Sequence, residues 1–185
     1  MEKKIDFNPN IVLETKHLIL RYMKIEDKYD IFMNISHDKD VLKYFIDKYL
    51  ETVDESKLDK TIDFCLKNER YIFAIVLKET NETIGMILQC SSASPLFNTV
   101  EVGYAIGKKH WNKGYVTEAM MKFSEFLFSL GIHKVTASCF LENVASRRVM
   151  EKCGMIYEGI KKDEVYYHDK YNDLMYYYLI NPKDK

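Results

Sequence analysis

Apolar and polar residues alternate with two different periods along the chain, and these periods divide it into predicted strands and helices. Alternation or a continuous apolar run predicts strands at 12–22, 71–77, 80–90, 98–107, 133–140, 155–167 and 174–180. Apolar spacings of three and four residues predict helices at 25–36, 54–70, 115–130 and 143–153. This order of elements predicts one mixed α/β (α+β) domain with three layers, spanning residues 1–185.

Two of the predicted helices carry apolar stripes that identify the side facing the sheet. In the helix at 25–36 the stripe consists of Ile25, Tyr29, Phe32 and Ile35. In the helix at 115–130 it consists of Val116, Ala119, Met120, Phe123, Phe126, Leu127 and Leu130. We therefore expect both helices to bury these stripes against the sheet.

The predicted strand at 98–107 has two unlike faces. One face is apolar and consists of Val100, Val102, Tyr104 and Ile106. The other face carries Glu101 beside small residues, namely Thr99, Gly103 and Ala105. A carboxylate beside glycine and alanine is not typical of a packed face, so this side predicts the floor of a groove that contains one charged group.

The segment "HWNKGYVTEAMM" (His110–Met121) leads from that strand into the next predicted helix. The first N–H groups of a helix have no intrahelical partner, and the helix dipole adds partial positive charge there. Gly114 permits close approach of a ligand to the backbone, and Lys113 adds a charge. The segment therefore predicts a phosphate site, although an ordinary helix start with a solvated lysine explains the same residues.

Composition narrows the classes of partner. Lys and Arg number 27 against 28 Asp and Glu, and the net charge of −1 does not indicate a nucleic-acid partner. The N-terminal segment lacks an apolar signal region, and no apolar run approaches the ~20 residues of a membrane span, so we expect a soluble cytoplasmic protein without a membrane partner. The four cysteines lack C-x-x-C spacing, so we expect buried thiols and no metal site.

Three segments of the sequence resemble the GCN5-related N-acetyltransferases (GNAT). They are "LETKHLILRYMKIED" at 13–27, "VEVGYAIGKKHWNKGYVTEAM" at 100–120 and "LENVASRRVMEKCGM" at 141–155. More narrowly, they resemble the branch typified by ribosomal-protein N-terminal acetyltransferases (RimJ/RimL-like). The resemblance implies the GNAT fold, in which a central mixed, mostly antiparallel sheet of about seven strands is flanked by helices.

The resemblance also implies acetyl-CoA as the cofactor and an amine as the acceptor, either a protein N-terminus or a small molecule, acetylated by direct attack on the thioester. It implies a monomer or a homodimer. The residues that fall on the acetyl-CoA segments of the family are Tyr104, Ala105, Ile106, Trp111, Asn112, Lys113, Gly114, Tyr115, Val116, Thr117, Asn143 and Arg147.

The sequence departs from the wider superfamily at three positions. Asn112 stands where a first glycine is common, and the bulk of Val116 is expected to narrow the loop around a pyrophosphate. Met150 stands where many members have a tyrosine that protonates the departing thiolate. A methionine has no proton to donate, so any acid must come from elsewhere.

Acetyl transfer to an amine requires a base, oxyanion donors and, in some enzymes, an acid. Glu101 is the candidate base, and a structural salt bridge or hydrogen bond is the alternative explanation. The resemblance implies that backbone N–H groups at 104–106 are the oxyanion donors. Ser146 is the candidate acid, with helix capping as the stronger alternative.

A second class of function stays open at this point. A module that binds acyl-CoA without catalysis, as a sensor or regulator, also accounts for the phosphate site. The methionine at position 150 favours it, whereas Glu101 favours an enzyme.

Overall fold

Eight strands form one mixed sheet in the computed structural model, which describes residues 8, 10–46, 71–91 and 96–184. The strands are β1 (Val12–Glu14), β2 (Leu18–Tyr22), β3 (Ile72–Leu77), β4 (Glu82–Gln89), β5 (Thr99–Ile106), β6 (Lys134–Phe140), β7 (Ile156–Tyr167) and β8 (Lys170–Ile180). Their order is β1-β2-β3-β4-β5-β6-β8-β7, and among these strands β5 and β6 form the one parallel pair. The predicted fold class is confirmed.

Four α-helices accompany the sheet in the described part of the chain: α1 (Lys28–Ile31), α2 (Lys39–Leu42), α3 (Tyr115–Ser129) and α4 (Val144–Lys152). A 3-10 turn (Ile25–Asp27) precedes α1 and a π-helical turn (Phe32–Ser36) follows it, so 25–36 forms one helical segment as predicted. The predicted helix at 54–70 lies outside the described residues. Within the described ones, no helix combines the length and apolar character that crossing a bilayer requires.

The core has a layer on each face of the sheet. Helix α3 buries its apolar stripe on one face, where Phe123 and Met120 share a cluster with Val100 and Val102 of β5. The helical segment 25–36 covers part of the opposite face, where Ile31 and Ile35 pack with residues of β3, β4 and β5. The connection from β5 through α3 to β6 therefore crosses on the α3 face, and both β5 and β6 are interior strands.

Three sequence predictions are corrected here. The predicted strand at 12–22 is two strands, because a turn hydrogen bond from Thr15 to Leu18 reverses the chain, and the sheet therefore has eight strands rather than about seven. Strand β8 begins at Lys170, four residues earlier than predicted. The thiols are not uniformly buried: the structure places Cys90 at the surface, Cys139 in the core and Cys153 between the two.

The stripe predicted for the segment 25–36 is also wrong in part. Ile25 and Tyr29 are exposed by 41% and 59%, whereas Ile31 and Ile35 are fully buried. The cause is Asp27, which is 4% exposed and turns its carboxylate inward to ion-pair with Arg21 at 2.6 Å. A buried carboxylate requires such partners, and their positions determine which side of the segment faces the sheet.

The carboxylate of Asp27 accepts four hydrogen bonds. Arg21 donates from both terminal nitrogens, at 2.6 and 2.8 Å, the Thr83 hydroxyl donates at 2.6 Å, and the Lys24 N–H donates at 2.8 Å. Burial opposes ionisation of this carboxyl, but the hydrogen bonds outweigh burial and lower the pKa of Asp27. The cluster fastens the helical segment to β2 and β4.

We expect Asp27→Asn to reduce the free energy of unfolding by about 2–4 kcal/mol, because it leaves the Arg21 guanidinium without its buried counter-charge. The lowered pKa makes this stabilisation fully present above the ordinary carboxyl pKa of about 4 and lost as pH falls through the lower folded value. Urea unfolding at pH 7 and at about pH 3 measures the effect, and the gap between the variant and wild type should narrow in acid.

The matched control for this change is Glu26→Gln, which removes an exposed carboxylate from the neighbouring residue. It should change the free energy of unfolding by less than about 0.5 kcal/mol. Equal losses in the two variants would show that the buried cluster does not anchor the segment.

Candidate active site

The parallel strands β5 and β6 are joined over a short length only. Three residue pairs connect them, Thr99 with Lys134, Val100 with Val135 and Glu101 with Thr136. Beyond these pairs β5 continues along β4 to Ile106, whereas β6 continues along β8 to Phe140. The two strands therefore separate after Glu101, and a gap opens in the sheet toward their C-terminal ends.

The β5 edge of this gap carries backbone groups that pair with no strand in the described part of the chain. Glu101 uses its carbonyl for the Cys90 N–H at 2.7 Å and its own N–H for the Ser91 hydroxyl at 3.0 Å, both on the β4 side. Because backbone groups alternate along a strand, those of Val102 and Tyr104 point toward the gap. An unpaired strand edge is suited to bind an extended chain that contains amide groups.

This alternation reduces the number of backbone N–H groups at 104–106 that can serve as the predicted oxyanion donors. Ala105 pairs with Met86, so its N–H and C=O face β4 and not the gap. The groups of Tyr104 and Ile106 face the gap, and the Ile106 carbonyl accepts a hydrogen bond from the Trp111 indole at 2.9 Å. Trp111 thereby ties the loop after β5 to the end of that strand.

Helix α3 begins beside the C-terminal end of β5 with an uncapped first turn. Gly114 is its N-cap, has a φ of 83° and makes no side-chain capping bond. A Cβ built on Gly114 meets nothing within 4 Å, so the space at this N-cap is open. These are the conditions under which a helix N-terminus binds an anion.

The two departures from the superfamily in this loop have physical explanations. Asn112 has a φ of 60°, and asparagine tolerates this left-handed conformation better than other residues with a side chain. Val116 is 8% exposed and belongs to the core cluster, so its side chain does not narrow the loop as expected from the sequence.

The lysines near the loop differ in whether they already have an ion-pair partner. Lys108 pairs with Asp40, and Lys109 pairs with Glu82 at 2.6 Å. These two lysines also line a cavity of about 460 Å³ beside the helical segment, and none of the predicted site residues lines it. Lys113 is exposed and has no ion-pair partner among the described residues, so it is the cation left for a phosphate.

Glu101 stands at the point where β5 and β6 separate. Its carboxylate accepts a hydrogen bond from the Ser138 hydroxyl of β6 at 2.7 Å, and it has no cationic partner among the described residues. The groove predicted along this face is shorter than expected, because Ala105 is 7% exposed and packed beneath the helical segment. The open part of the face is the end that contains Glu101.

On the opposite face, the side chain of Tyr104 spans the gap to helix α4. Its hydroxyl lies 2.8 Å from the Ser146 hydroxyl and 3.2 Å from the Ser146 carbonyl, and its one proton can be donated toward both oxygens, which leaves the Ser146 proton available. Burial raises the pKa of Tyr104 although the hydrogen bond to Ser146 opposes it, so the phenol stays protonated. The contact is not apparent from the sequence, because Tyr104 lies in the apolar stripe of β5 and resembles an ordinary core residue.

The other candidates on α4 have separate positions. The Asn143 side chain caps the helix by accepting from the Ser146 N–H at 3.1 Å, so the Ser146 hydroxyl itself is not the cap. Arg147 lies 3.7 Å from Glu151. Met150 is fully buried in the core and does not reach the gap.

No group of three His, Cys, Asp or Glu suited to a metal ion occurs in the part of the chain that the structure describes. His110 is 6% exposed, and neither ring nitrogen has a hydrogen-bond partner. Burial lowers the pKa of His110, whereas Glu82 at 3.9 Å opposes this shift. His133 pairs with Asp184 at 2.7 Å.

The sequence model of the "Acetyltransferase (GNAT) domain" family matches residues 17–156. The chain belongs to the GNAT acetyltransferase family. It is 29% identical over 176 residues to the uncharacterized N-acetyltransferase YoaA of Bacillus subtilis, which is 94% of this chain and 98% of that protein. It is therefore an N-acetyltransferase, and the family expected from the sequence is confirmed.

Solved structures agree with this assignment. The structure of a GNAT-family acetyltransferase from Bacillus anthracis matches with a TM-score of 0.78 and 28% identity, over 92% of this chain and 99% of that one. A spermidine N-acetyltransferase from Vibrio cholerae, in complex with CoA and spermine, has a TM-score of 0.77 and 19% identity, over 91% and 98%, and shows a shared fold. Acetyl-CoA is the cofactor of the family, as expected.

The residues of the gap and loop fit this cofactor. The strand edge at Val102 and Tyr104 suits its amide-containing arm, and the uncapped turn after Gly114 suits its pyrophosphate. We propose these positions as the acetyl-CoA site.

We expect Gly114→Ala to weaken CoA binding about 10-fold or more, because the added methyl group projects into the open space at this N-cap. The left-handed φ also costs about 1–2 kcal/mol of stability. Calorimetric titration with CoA and thermal unfolding measure the two effects separately.

Gly154→Ala is the control, since Gly154 has a φ of 74° and a Cβ there also meets nothing within 4 Å. It follows α4 and lies far along the chain from the loop. It should lose similar stability with CoA affinity unchanged, and an equal loss of affinity in both variants contradicts the assignment of the loop.

Proposed function

We propose that the chain acetylates an amine by direct attack on the thioester of acetyl-CoA, with Glu101 as the general base. The observation that carries this proposal is the position of Glu101, at the point where β5 and β6 separate and without a cationic partner among the described residues. When bound, acetyl-CoA supplies an acetyl group activated as a thioester. The chain contributes the groups that accept and donate protons around it.

The charge and position of Glu101 suit it to act on the amine that accepts the acetyl group. An amine at neutral pH is an ammonium, and it must lose a proton before its nitrogen attacks. A carboxylate attracts the ammonium and accepts that proton, directly or through a water. The Ser138 hydroxyl fixes the carboxylate and leaves the second oxygen of Glu101 available.

Strand β5 provides the hydrogen-bond donors for the thioester oxygen. The N–H groups of Val102 and Tyr104 face the gap and are the candidate donors for the negative charge that develops on the thioester oxygen. In the proposed reaction Glu101 first takes one proton from the ammonium, and the free amine nitrogen then forms the C–N bond. The C–S bond breaks to release the thiolate of CoA, and the second proton of the attacking nitrogen passes to water.

Stabilisation of the departing thiolate depends on Ser146. A thiol of pKa about 8.5 is a tolerable leaving group, so a hydrogen bond suffices to stabilise it. Because Asn143 provides the cap and Met150 is buried, the Ser146 hydroxyl is the candidate donor. Tyr104 positions this hydroxyl through the contact of 2.8 Å.

A second candidate function, a CoA-binding sensor, is favoured by one observation. Met150 is fully buried, so the position where many family members have an acid contributes none. The two candidates differ in thiol release: an enzyme releases CoA in the presence of an amine, and a sensor binds acetyl-CoA without release.

We expect Glu101→Gln to lower turnover about 100-fold near pH 7, because the amide accepts no proton from the ammonium. The loss should shrink as pH rises toward the pKa of the amine, about 8 for an α-amine and about 10 for an alkylamine. Thiol release with acetyl-CoA and a panel of amines gives the pH–rate profile. Glu125→Gln, a change of an exposed carboxylate on α3, should behave as wild type.

Two results contradict this assignment. A profile unchanged by Glu101→Gln removes the base from the mechanism. Tight acetyl-CoA binding without thiol release for any amine favours the sensor.

We expect Tyr104→Phe and Ser146→Ala each to lower kcat about 10-fold, with the KM for acetyl-CoA unchanged, since one hydrogen bond of about 1.4 kcal/mol stabilises the departing thiolate. If Tyr104 acts through Ser146, the double variant should be no slower than the slower single one. Steady-state kinetics with one amine measures all three variants.

Tyr177→Phe is the control for this pair, since Tyr177 is 4% exposed and its hydroxyl contacts α4 at Glu151, 3.5 Å away. Its kcat should equal that of wild type. Fully additive losses in the double variant would show that Tyr104 and Ser146 act separately.

A further inference from the structure

Three acidic side chains on β7 and β8, which follow β6 in the sheet, pair with lysines of the same chain. Glu158 pairs with Lys134, Glu164 pairs with Lys161 at 3.2 Å, and Asp173 pairs with Lys162 at 2.6 Å. Glu101 differs from them, since no cation pairs with it among the described residues. The Glu101 carboxylate is therefore available to attract an acceptor at the gap.

Tyr176 of β8 lies between Glu101 and one of these ion pairs. Tyr176 pairs with Ser138 of β6, whose hydroxyl donates to Glu101, so Tyr176 lies on the same face of the sheet as the carboxylate. Burial raises the pKa of Tyr176, and the charge of Glu101 raises it further. The Tyr176 hydroxyl donates to Glu164 at 3.2 Å. This row of groups begins at the gap and extends outward over β8 and β7.

The ring of Tyr176 is covered by a cation of the chain itself. The Lys161 ammonium lies 4.2 Å from the ring centroid while it donates to Glu164 at 3.2 Å. An aromatic face and a carboxylate together form a good site for an ammonium group. Lys161 occupies that site, one side chain away from Glu101.

This arrangement determines how many charges an acceptor can place there. An ammonium at Glu101 is stabilised by an unneutralised carboxylate. A second ammonium on the same molecule is repelled by the positive charge of Lys161. The Tyr176 ring and the Glu164 carboxylate do not stabilise it, because Lys161 already contacts both. Like charges at this spacing oppose binding, and the opposition weakens at high salt.

We propose that the acceptor is an amine with a single positive charge, such as a peptide N-terminus or a monoamine, and that Lys161 excludes diamines and polyamines. This inference rests on the proposed function, because it takes Glu101 as the place of the reacting amine. It separates the chain from the polyamine acceptor of the Vibrio cholerae structure with the same fold.

The test uses two amines with the same carbon chain, n-butylamine and 1,4-diaminobutane, which differ by one ammonium group. Binding of each to the CoA-saturated protein is measured by calorimetry, and thiol release is measured with acetyl-CoA. Wild type should prefer n-butylamine roughly tenfold, the size expected from one exposed ion pair and one cation–π contact.

Lys161→Met removes the charge and keeps the length of the side chain. We expect it to abolish or reverse the preference, because Glu164 and the Tyr176 ring then become available to the second ammonium. Lys162→Met is the matched control, since Lys162 pairs with Asp173 and does not lie over Tyr176. It should keep the wild-type preference, and thermal unfolding checks that both variants fold.

The inference is overturned if wild type prefers the diamine, if Lys161→Met leaves the preference unchanged, or if neither amine binds either protein. Failure of the proposed function has a different signature. Selective binding that changes with Lys161 but is not accompanied by thiol release removes the enzyme reaction and keeps the role of Lys161. Thiol release with a preference that does not depend on Lys161 keeps the reaction and removes that role.

Discussion

The short parallel contact between β5 and β6 is the constraint on which the rest of the structure depends. Pairing that stops after Glu101 leaves a gap in the middle of a sheet, where strands normally satisfy each other's backbone groups. Each half of the sheet then relies on other partners, β4 for one and β8 for the other. The gap places an unpaired strand edge, a helix N-terminus and a carboxylate within one site.

Two side-chain contacts connect the separated halves, one on each face of the sheet. Ser138 holds Glu101 on the face of the helical segment, and Ser146 meets Tyr104 on the α3 face. The acceptor side and the cofactor side of the proposed reaction are therefore different faces of the same opening. This division explains how the two candidate catalytic residues of the sequence, 45 positions apart, can act in one proposed site without touching each other.

Local periodicity explains which parts were predictable from the sequence. The stripe of α3 and the apolar face of β5 are repeated patterns, and both are confirmed, although the opposite face of β5 is open only near Glu101. The turn at Thr15 was missed because apolar alternation continues across it, and the face of the segment at 25–36 was missed because the distant pair of Arg21 with Asp27 determines it. The role of the Tyr104 side chain depends on where Ser146 lies, which no local pattern contains.

The opening inside the sheet also leaves backbone N–H and C=O groups of β5 without strand partners in the described part of the chain. A ligand that pairs with the β5 edge closes the opening and becomes, in effect, an additional strand. Its binding free energy then adds to the resistance of the protein to unfolding in proportion to the logarithm of its concentration. The same strand edge that binds the ligand therefore also sets how strongly the ligand stabilises the fold.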